Sequence, residues 1–123
     1  MAHKKIMIVD DDSDIRFSVS DGLQMIAPDY EVVQAENGKA ALDFLKKTYV
    51  DLIILDIMMP VMDGFELAEK IKQNPKLADI PIIFLSAKTD EYSKALGKMK
   101  GVDYIEKPFE ILDLKNRVND ILG

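Results

Sequence analysis

The chain has 123 residues, the length of one ordinary domain with a single hydrophobic core. Its 22 acidic and 16 basic side chains leave a net charge of −6, so direct nucleic-acid binding is disfavoured. With no cysteine the sequence excludes disulfides, thiol catalysis and cysteine-ligated metals. Its single histidine, His3, excludes a Ser-His-Asp triad and a multi-histidine metal site.

Apolar segments are too short to cross a membrane. The longest run without proline, residues 82–85, is far below the roughly 18 residues that a bilayer requires. Lys4 and Lys5 precede four apolar residues, as in a signal peptide, but aspartates follow where a signal needs about seven or more apolar residues. We therefore expect a cytoplasmic protein with no membrane segment.

Short apolar runs alternate with helical patterns along the chain, which is typical of a parallel sheet built from βα units. The predicted strands span residues 6–9, 31–35, 52–55, 82–85 and 104–105. The runs at 52–55 and 82–85 contain no polar residue, so we expect them to be central strands covered by helices on both faces.

The segments between these runs carry helix start and stop signals. The first helix is predicted to start at Asp12 or Ser13 and to end at Pro28, and the third to follow Asp63-Gly64 and stop before Asn74. The second, fourth and fifth helices are predicted to span residues 37–47, 91–100 and 110–122. The predicted buried face of the first helix is Ile15, Val19, Leu23 and Ile26, and that of the second is Ala40, Ala41, Phe44 and Leu45. The third helix is predicted to bury Phe65, Leu67, Ala68 and Ile71, and the fifth Ile111, Leu114, Val118 and Ile121. Gly97 weakens the fourth helix by about 1 kcal/mol relative to alanine.

Right-handed crossovers between five βα units produce an α/β fold with a doubly wound parallel sheet in the order 2-1-3-4-5 and helices on both faces. In this order the chain changes direction between the first and third strands. Ligands bind beyond the carboxyl ends of the strands at such a switch point, so the residues at the strand ends are the candidates for chemistry.

Carboxylates gather at these strand ends. Asp10, Asp11 and Asp12 follow the first strand, and Asp56 follows the third. Like charges at one place repel, and a hard divalent cation such as Mg²⁺, held by one or two carboxylates and a phosphate oxygen, relieves the repulsion. The sequence therefore predicts a magnesium site.

Two hydrogen-bond donors face this acidic cluster in the predicted topology. The fourth strand ends at Ser86, a hydroxyl, and the fifth leads to Lys107, an ammonium group. A metal ion, an ammonium group and a hydroxyl suit the three equatorial oxygens of a phosphoryl group on a carboxylate.

Together these residues resemble the response-regulator receiver domain over essentially the whole chain. The matching motifs are residues 8–12 (IVDDD), 55–60 (LDIMMP) with 63–64 (DG), 85–88 (LSAK) and 104–109 (YIEKPF). The resemblance implies a flavodoxin-like fold and a single receiver domain over residues 1–123. It implies a signalling switch that catalyses only its own phosphorylation and dephosphorylation.

The resemblance also implies residue roles. Asp56 would accept a phosphoryl group from the phosphohistidine of a histidine kinase or histidine phosphotransfer domain. Asp10 and Asp11, with Asp56 and the backbone carbonyl of Met58, would hold Mg²⁺. Asp12 stands where glutamate is commoner, which removes no function.

Further implied roles concern the switch and its partners. Ser86 would be the hydroxyl position, Lys107 the phosphate-binding lysine and Tyr104 the aromatic switch residue, and the Lys107-Pro108 peptide is expected to be cis. Ile15 and Phe17 on the first helix would contact the kinase. The fourth helix, fifth strand and fifth helix would change on phosphorylation to bind a downstream output protein or domain, or a second copy.

The acidic stretch has alternative interpretations. Asp12 and Asp14 are interpreted as helix capping and solvated charge, since aspartate is favoured at a helix start. The spacing from Asp10 to Asp21 partly matches a calcium loop, but Ile15 stands where glycine is needed and a strand precedes the loop.

Two other classes of function remain open. A haloacid-dehalogenase-like phosphatase also forms an aspartyl phosphate, but after Lys107 only Glu110, Asp113 and Asp120 are acidic, without the late acidic pair of that class. A receiver-like module that works without phosphorylation is disfavoured by the complete set of acceptor, acidic pair, hydroxyl and lysine. A phosphatase assay and Mg²⁺-dependent labelling by acetyl phosphate distinguish these alternatives.

Overall fold

The structure, a computed structural model, describes residues 3–87 and 103–123. These contain a five-stranded sheet in the order β2-β1-β3-β4-β5 with parallel neighbours, as predicted. The strands are β1 (Lys4–Val9), β2 (Tyr30–Ala35), β3 (Leu52–Asp56), β4 (Ile82–Ala87) and β5 (Asp103–Lys107). The helices are α1 (Ser13–Ile26), α2 (Gly38–Leu45), α3 (Gly64–Gln73) and the C-terminal helix (Ile111–Leu122). The predicted fourth helix, with Gly97, lies outside the described residues.

Helices cover both faces of the sheet, so the central strands are buried on both sides. Every residue of β3 is buried, and β4 is buried as far as Ser86. Ile53 and Leu55 pack with α2 and α3 on one face, while Leu52 and Ile54 pack with α1 and the C-terminal helix on the other. The uninterrupted apolar runs thus predicted the two interior strands correctly.

The helix starts agree with the capping signals. The N-cap residues Asp12, Asn37 and Asp63 each accept a hydrogen bond from a backbone N–H two or three residues further on, at 2.8 to 2.9 Å. Such a cap contributes about 1 kcal/mol to stability. Asp12 is therefore the cap of α1, as its interpretation required.

Several predicted element boundaries and one predicted buried position need correction. The strands β4 and β5 extend to Ala87 and Lys107, because backbone pairing continues past the apolar runs, with Ala87 opposite Lys107. Ser86 and Lys107 consequently lie in strands. Ile26, predicted to be buried, is 44% exposed, because it is the last residue of α1 and the fully buried part of that face ends at Leu23. In the ranges that the structure describes, no helix has the length and apolar character to cross a membrane.

Candidate functional site

Two buried carboxylates lie side by side at the carboxyl edge of the sheet. Asp10 directly follows β1, and Asp56 is the last residue of β3, the strand that pairs with β1. Asp10 is fully buried and Asp56 is 4% exposed. Buried charged groups are unfavourable unless they are paired, so the two carboxylates need a positive charge or hydrogen-bond donors beside them.

A third carboxylate joins them. One oxygen each of Asp10, Asp11 and Asp56 lies within 4.8 Å of the others, and Asp11 is exposed. Three hard oxygen donors at this spacing fit a hard divalent cation such as Mg²⁺. The predicted cluster is thus assembled by the fold, and it can hold a metal ion.

Lys107 provides the positive charge. Its Nζ lies 3.0 Å from Asp10 Oδ2 and 3.3 Å from Asp56 Oδ1. Burial opposes the charged form, but the hydrogen bond to Asp10 and the charges of both aspartates outweigh it and raise the pKa of Lys107. This lysine therefore stays protonated beside the two carboxylates.

The surroundings of Asp56 change the pKa of its carboxyl group. Burial, followed by the negative charge of Asp10, raises the pKa of Asp56 from 3.8 to about 6. Lys107 and the backbone N–H of Met58, 3.4 Å from Asp56 Oδ1, act in the opposite direction. A cation at this cluster would favour the ionised form of Asp56, which is the nucleophilic form.

Asp10 is held from several directions. Its Oδ1 accepts a hydrogen bond of 2.9 Å from the Asp12 backbone N–H, and its backbone carbonyl accepts one of 2.7 Å from Arg16 Nη1. The sequence interpretation did not assign Arg16 to the site. The available signal was a lone basic residue on the first turn after the acidic stretch.

Ser86 lies in β4, between the strand that carries Asp56 and the strand that carries Lys107. It is fully buried, and its Oγ has no hydrogen-bond partner within residues 3–87 and 103–123. A buried hydroxyl normally has a hydrogen-bond partner, and within these ranges that of Ser86 has none, although β4 pairs directly with the strand that carries Asp56.

The loop after β3 is held close to the site by a glycine. Gly64 donates its N–H to the carbonyl of Ile57 at 2.9 Å, and a Cβ at Gly64 would lie 2.4 Å from the carbonyl oxygen of Asp56. Asp63 and Gly64 do start a helix, as interpreted, and the structure adds that only glycine permits this close approach.

The remaining predicted residues lie around this centre. Tyr104 in β5 is half-buried and packs against the core beneath α2 and α3. Met58 is 61% exposed on the loop after β3. The Lys107-Pro108 peptide is cis, as predicted.

A groove of about 480 Å³ borders the site between α1 and the C-terminal helix. Ile15, predicted as a partner contact, lines it beside Lys107, together with Phe109 and Ile111, which were not predicted as partner contacts. Phe17, the other predicted contact, does not line this groove, and its side chain is 65% exposed.

The fold and site define a doubly wound α/β domain with an acidic, lysine-paired pocket at its switch point. Residues 6–119 match the model of the response regulator receiver domain. The chain therefore belongs to this family, the phosphoacceptor signalling modules of two-component systems.

Individual relatives agree with this assignment. A probable cyclic di-GMP phosphodiesterase of Vibrio cholerae is 43% identical over 115 residues, 93% of this chain and 25% of that protein. The phosphate regulon transcriptional regulatory protein PhoB of Pseudomonas aeruginosa is 41% identical over 123 residues, 99% of this chain and 53% of that protein. The chain thus spans about half or less of these relatives.

A similar solved structure is the Vibrio cholerae chemotaxis protein CheY4. It is 34% identical with a TM-score of 0.88, and the match covers 98% of this chain and 99% of that one. Relatives thus include both a single-domain-sized chain and longer regulators that contain the receiver as one part.

Proposed function

We propose that Asp56 is the phosphoryl acceptor of this receiver domain. The observation that carries the proposal is the position of Asp56, a buried carboxylate at the end of a central strand. One of its oxygens lies within 4.8 Å of an oxygen of both Asp10 and Asp11, and Lys107 Nζ is 3.3 Å from its Oδ1. The exposed aspartate Asp12 is engaged in capping α1. Asp10 shares the cluster and the contact with Lys107, but its Oδ1 already accepts the backbone N–H of Asp12, whereas Asp56 is itself the last residue of a central strand.

A Mg²⁺ ion would be held by side-chain oxygens of Asp10, Asp11 and Asp56 and by the backbone carbonyl of Met58. The all-oxygen donor set and the raised pKa of Asp56 support this assignment. When bound, the ion would neutralise charge on the carboxylates and on the incoming phosphoryl group.

The reaction proposed is the transfer of a phosphoryl group from the phosphohistidine of a histidine kinase or histidine phosphotransfer domain. A carboxylate oxygen of Asp56 forms the new bond to phosphorus while the bond from phosphorus to the histidine nitrogen breaks, and that nitrogen keeps the electron pair. Lys107 then pairs with one phosphoryl oxygen, and Ser86 donates its hydroxyl to another.

The kinase or phosphotransfer partner is proposed to dock beside the pocket. Ile15 lines the apolar groove next to Lys107, and the exposed Phe17 lies two residues further along α1. Ile15→Ala should therefore slow transfer from the cognate kinase while leaving labelling by acetyl phosphate unchanged. Equal effects on both reactions would reject this docking site.

The switch is proposed to need several contacts together. Driving a two-state equilibrium from about 1:99 to 99:1 takes roughly 5.5 kcal/mol, whereas one hydrogen bond to a charged group supplies about 1.5 to 3 kcal/mol. Phosphorylated Asp56 therefore recruits both Ser86 and Lys107, and Tyr104 moves inward. The surface that changes includes β5 and the C-terminal helix and would contact an output protein or domain, or a second copy.

The wider description follows the family. We propose that residues 1–123 act as one cytoplasmic receiver domain that modifies only itself and does not turn over a free substrate. The partners are proteins, and direct nucleic-acid binding by this chain is not proposed.

Labelling by acetyl phosphate tests the acceptor. The wild-type protein should gain one acid-stable, hydroxylamine-sensitive phosphoryl group only when Mg²⁺ is present. Asp56→Asn should abolish the label, and Asp12→Asn, which retains a capping side chain, should not. Full labelling of the Asp56 variant, or labelling in excess chelator, would reject the assignment.

Labelling of Lys107→Ala tests the switch separately. The variant should still accept a phosphoryl group at Asp56 but should show no shift of amide signals across residues 88–106. A wild-type pattern of amide shifts in this variant would contradict the coupled switch.

A further inference from the structure

A second groove lies away from the phosphorylation site, between α2 and α3. It has a volume of about 480 Å³, and its apolar lining consists of Leu42, Val61, Met62 and Leu77. It lies on the face of the sheet opposite to the groove that contains Ile15. A protein bound here would leave the proposed kinase groove accessible.

Val61, which lines this groove, has an unusual backbone conformation. Its φ is 69°, a left-handed conformation that β-branched residues rarely adopt, and its side chain is fully exposed. The residue thus carries backbone strain without adding to the core of the chain. Strain of this kind is found where a side chain is needed for function, and here it presents an apolar group at the rim of the groove.

The charge around the groove is opposite in sign to that of the whole chain. Lys39, Lys46 and Lys70 line it, whereas Asp43 is the only acidic residue in the lining and lies 3.8 Å from Lys46. Two further acidic residues of α3, Glu69 next to Lys70 and Glu66 one turn before it, lie outside the lining. The net charge of the protein is −6, so this lysine rim stands out from an acidic background.

We propose that the groove between α2 and α3 docks an acidic amphipathic segment of a partner protein. Apolar side chains of such a segment would contact Leu42, Val61 and Met62, and its carboxylates would pair with the three lysines. A basic segment would be repelled by the same lysines.

The groove is also lined by residues of the loop between β3 and α3, which follows Asp56. Met62, in the loop between Asp56 and α3, packs against the start of α2 so closely that a Cβ at Gly38 would lie 2.5 Å from Met62 Sδ. A segment bound in the groove would therefore contact the loop that follows Asp56. Docking itself does not require phosphorylation.

The test uses a fluorescein-labelled helical peptide of about three turns, with leucine on one face and glutamate elsewhere, and a matched peptide with lysine in place of glutamate. Fluorescence anisotropy measures binding to the unphosphorylated protein without Mg²⁺. Amide chemical shifts locate the site. We expect saturable binding of the acidic peptide only, weaker at high salt, with shifts confined to residues 39–46 and 61–77.

Two sets of lysine substitutions distinguish the groove from overall charge. The groove variant combines Lys39→Glu, Lys46→Glu and Lys70→Glu, and the control combines Lys47→Glu, Lys72→Glu and Lys76→Glu at exposed positions outside the lining. The groove variant should bind about tenfold more weakly or worse, since three modest exposed contacts become repulsive, while the control should stay within about threefold of wild type.

Val61→Gly separates binding from folding. It should weaken binding several-fold while the melting temperature stays the same or rises, because glycine adopts the left-handed conformation without strain. Equal binding of both peptides, no saturable binding, equal loss in both lysine variants, or shifts around Ile15 would each overturn the proposal. So would self-association of the protein that the groove variant abolishes, since the occupant would then be a second copy.

Discussion

The ammonium group of Lys107 lies 3.3 Å from the carboxylate of Asp56, although β4 separates the strands that carry the two residues. The side chain therefore reaches across the carboxyl end of the central strand and places a fixed positive charge beside the proposed acceptor. The same nitrogen is 3.0 Å from Asp10. Because one ammonium group is shared by two buried carboxylates, all three charges determine how the site responds to pH, substitution and metal.

The pH dependence of stability should reveal Asp56. Its pKa is about 6 in the folded protein and 3.8 ordinarily, so the folded state holds this proton more tightly. The stability contributed by this group is thus present below about pH 4 and lost as the pH rises through about 6. The free energy of unfolding of Asp56→Asn, measured with urea at pH 7, should exceed that of wild type by about 1 to 3 kcal/mol, the upper value corresponding to the whole pKa shift.

The difference between the two proteins should vanish near pH 4 in metal-free buffer. Asp12→Asn, which keeps its cap, serves as the control and should follow wild type at every pH. Excess Mg²⁺ should stabilise wild type more than Asp56→Asn, and a chelator should reverse this. A variant less stable than wild type at pH 7 would contradict the assignment of the raised pKa.

Removal of the lysine should have the opposite effect on stability. Lys107→Met leaves Asp10 and Asp56 without their observed ion pairs, so we expect a loss of about 2 to 3 kcal/mol at pH 7, below the range for a fully buried pair. The loss should shrink as the pH falls through about 6 and Asp56 becomes protonated. Carbon NMR of the Asp56 carboxyl group should show a pKa above that of wild type.

Lys5→Met provides a matched control for the lysine. Lys5 lies 3.9 Å from Glu31 in a more exposed ion pair, for which a change within about 0.5 kcal/mol is expected. Equal effects of the two substitutions on urea unfolding would show that Lys107 has no special electrostatic role.

A pair of glycines tests the close approach of the chain to the backbone of Asp56. Gly64→Ala should destabilise the protein by about 2 kcal/mol or more, since its Cβ would lie 2.4 Å from a backbone oxygen of Asp56 that cannot move without shifting β3. Gly38→Ala should be milder, because its Cβ meets the flexible Met62 side chain. Thermal unfolding of both variants checks this order, and the reverse order would contradict it.

The buried hydroxyl of Ser86 should be unfavourable in the unphosphorylated protein. Within the part of the chain that the structure describes, its Oγ has no partner, so Ser86→Ala should raise the free energy of unfolding by about 1 kcal/mol. The same variant should show smaller amide shifts after labelling. A clear loss of stability would indicate that the hydroxyl is satisfied before phosphorylation.

Much of the architecture was predictable because it depends on local patterns. The uninterrupted apolar runs identified β3 and β4 as interior strands, and the helix patterns located the starts of α1, α2 and α3 to within about a residue. The topology rule then brought Asp10, Asp11 and Asp56 to one edge of the sheet, where the structure has them. Their roles in phosphoryl transfer remain predictions.

By itself, the sequence determined where most strands and helices lie and which residues stand at the strand ends, since hydrophobic period and backbone capping act over a few residues. The crossover rule then predicted the order of the strands. Only the tertiary structure decided that Lys107 contacts both carboxylates, that Arg16 holds the Asp10 carbonyl and that Phe17 stays outside the groove of Ile15. It also decided the raised pKa of Asp56 and the left-handed backbone of Val61. These properties depend on burial, on distances between strands far apart in sequence and on loop closure, which no local pattern encodes.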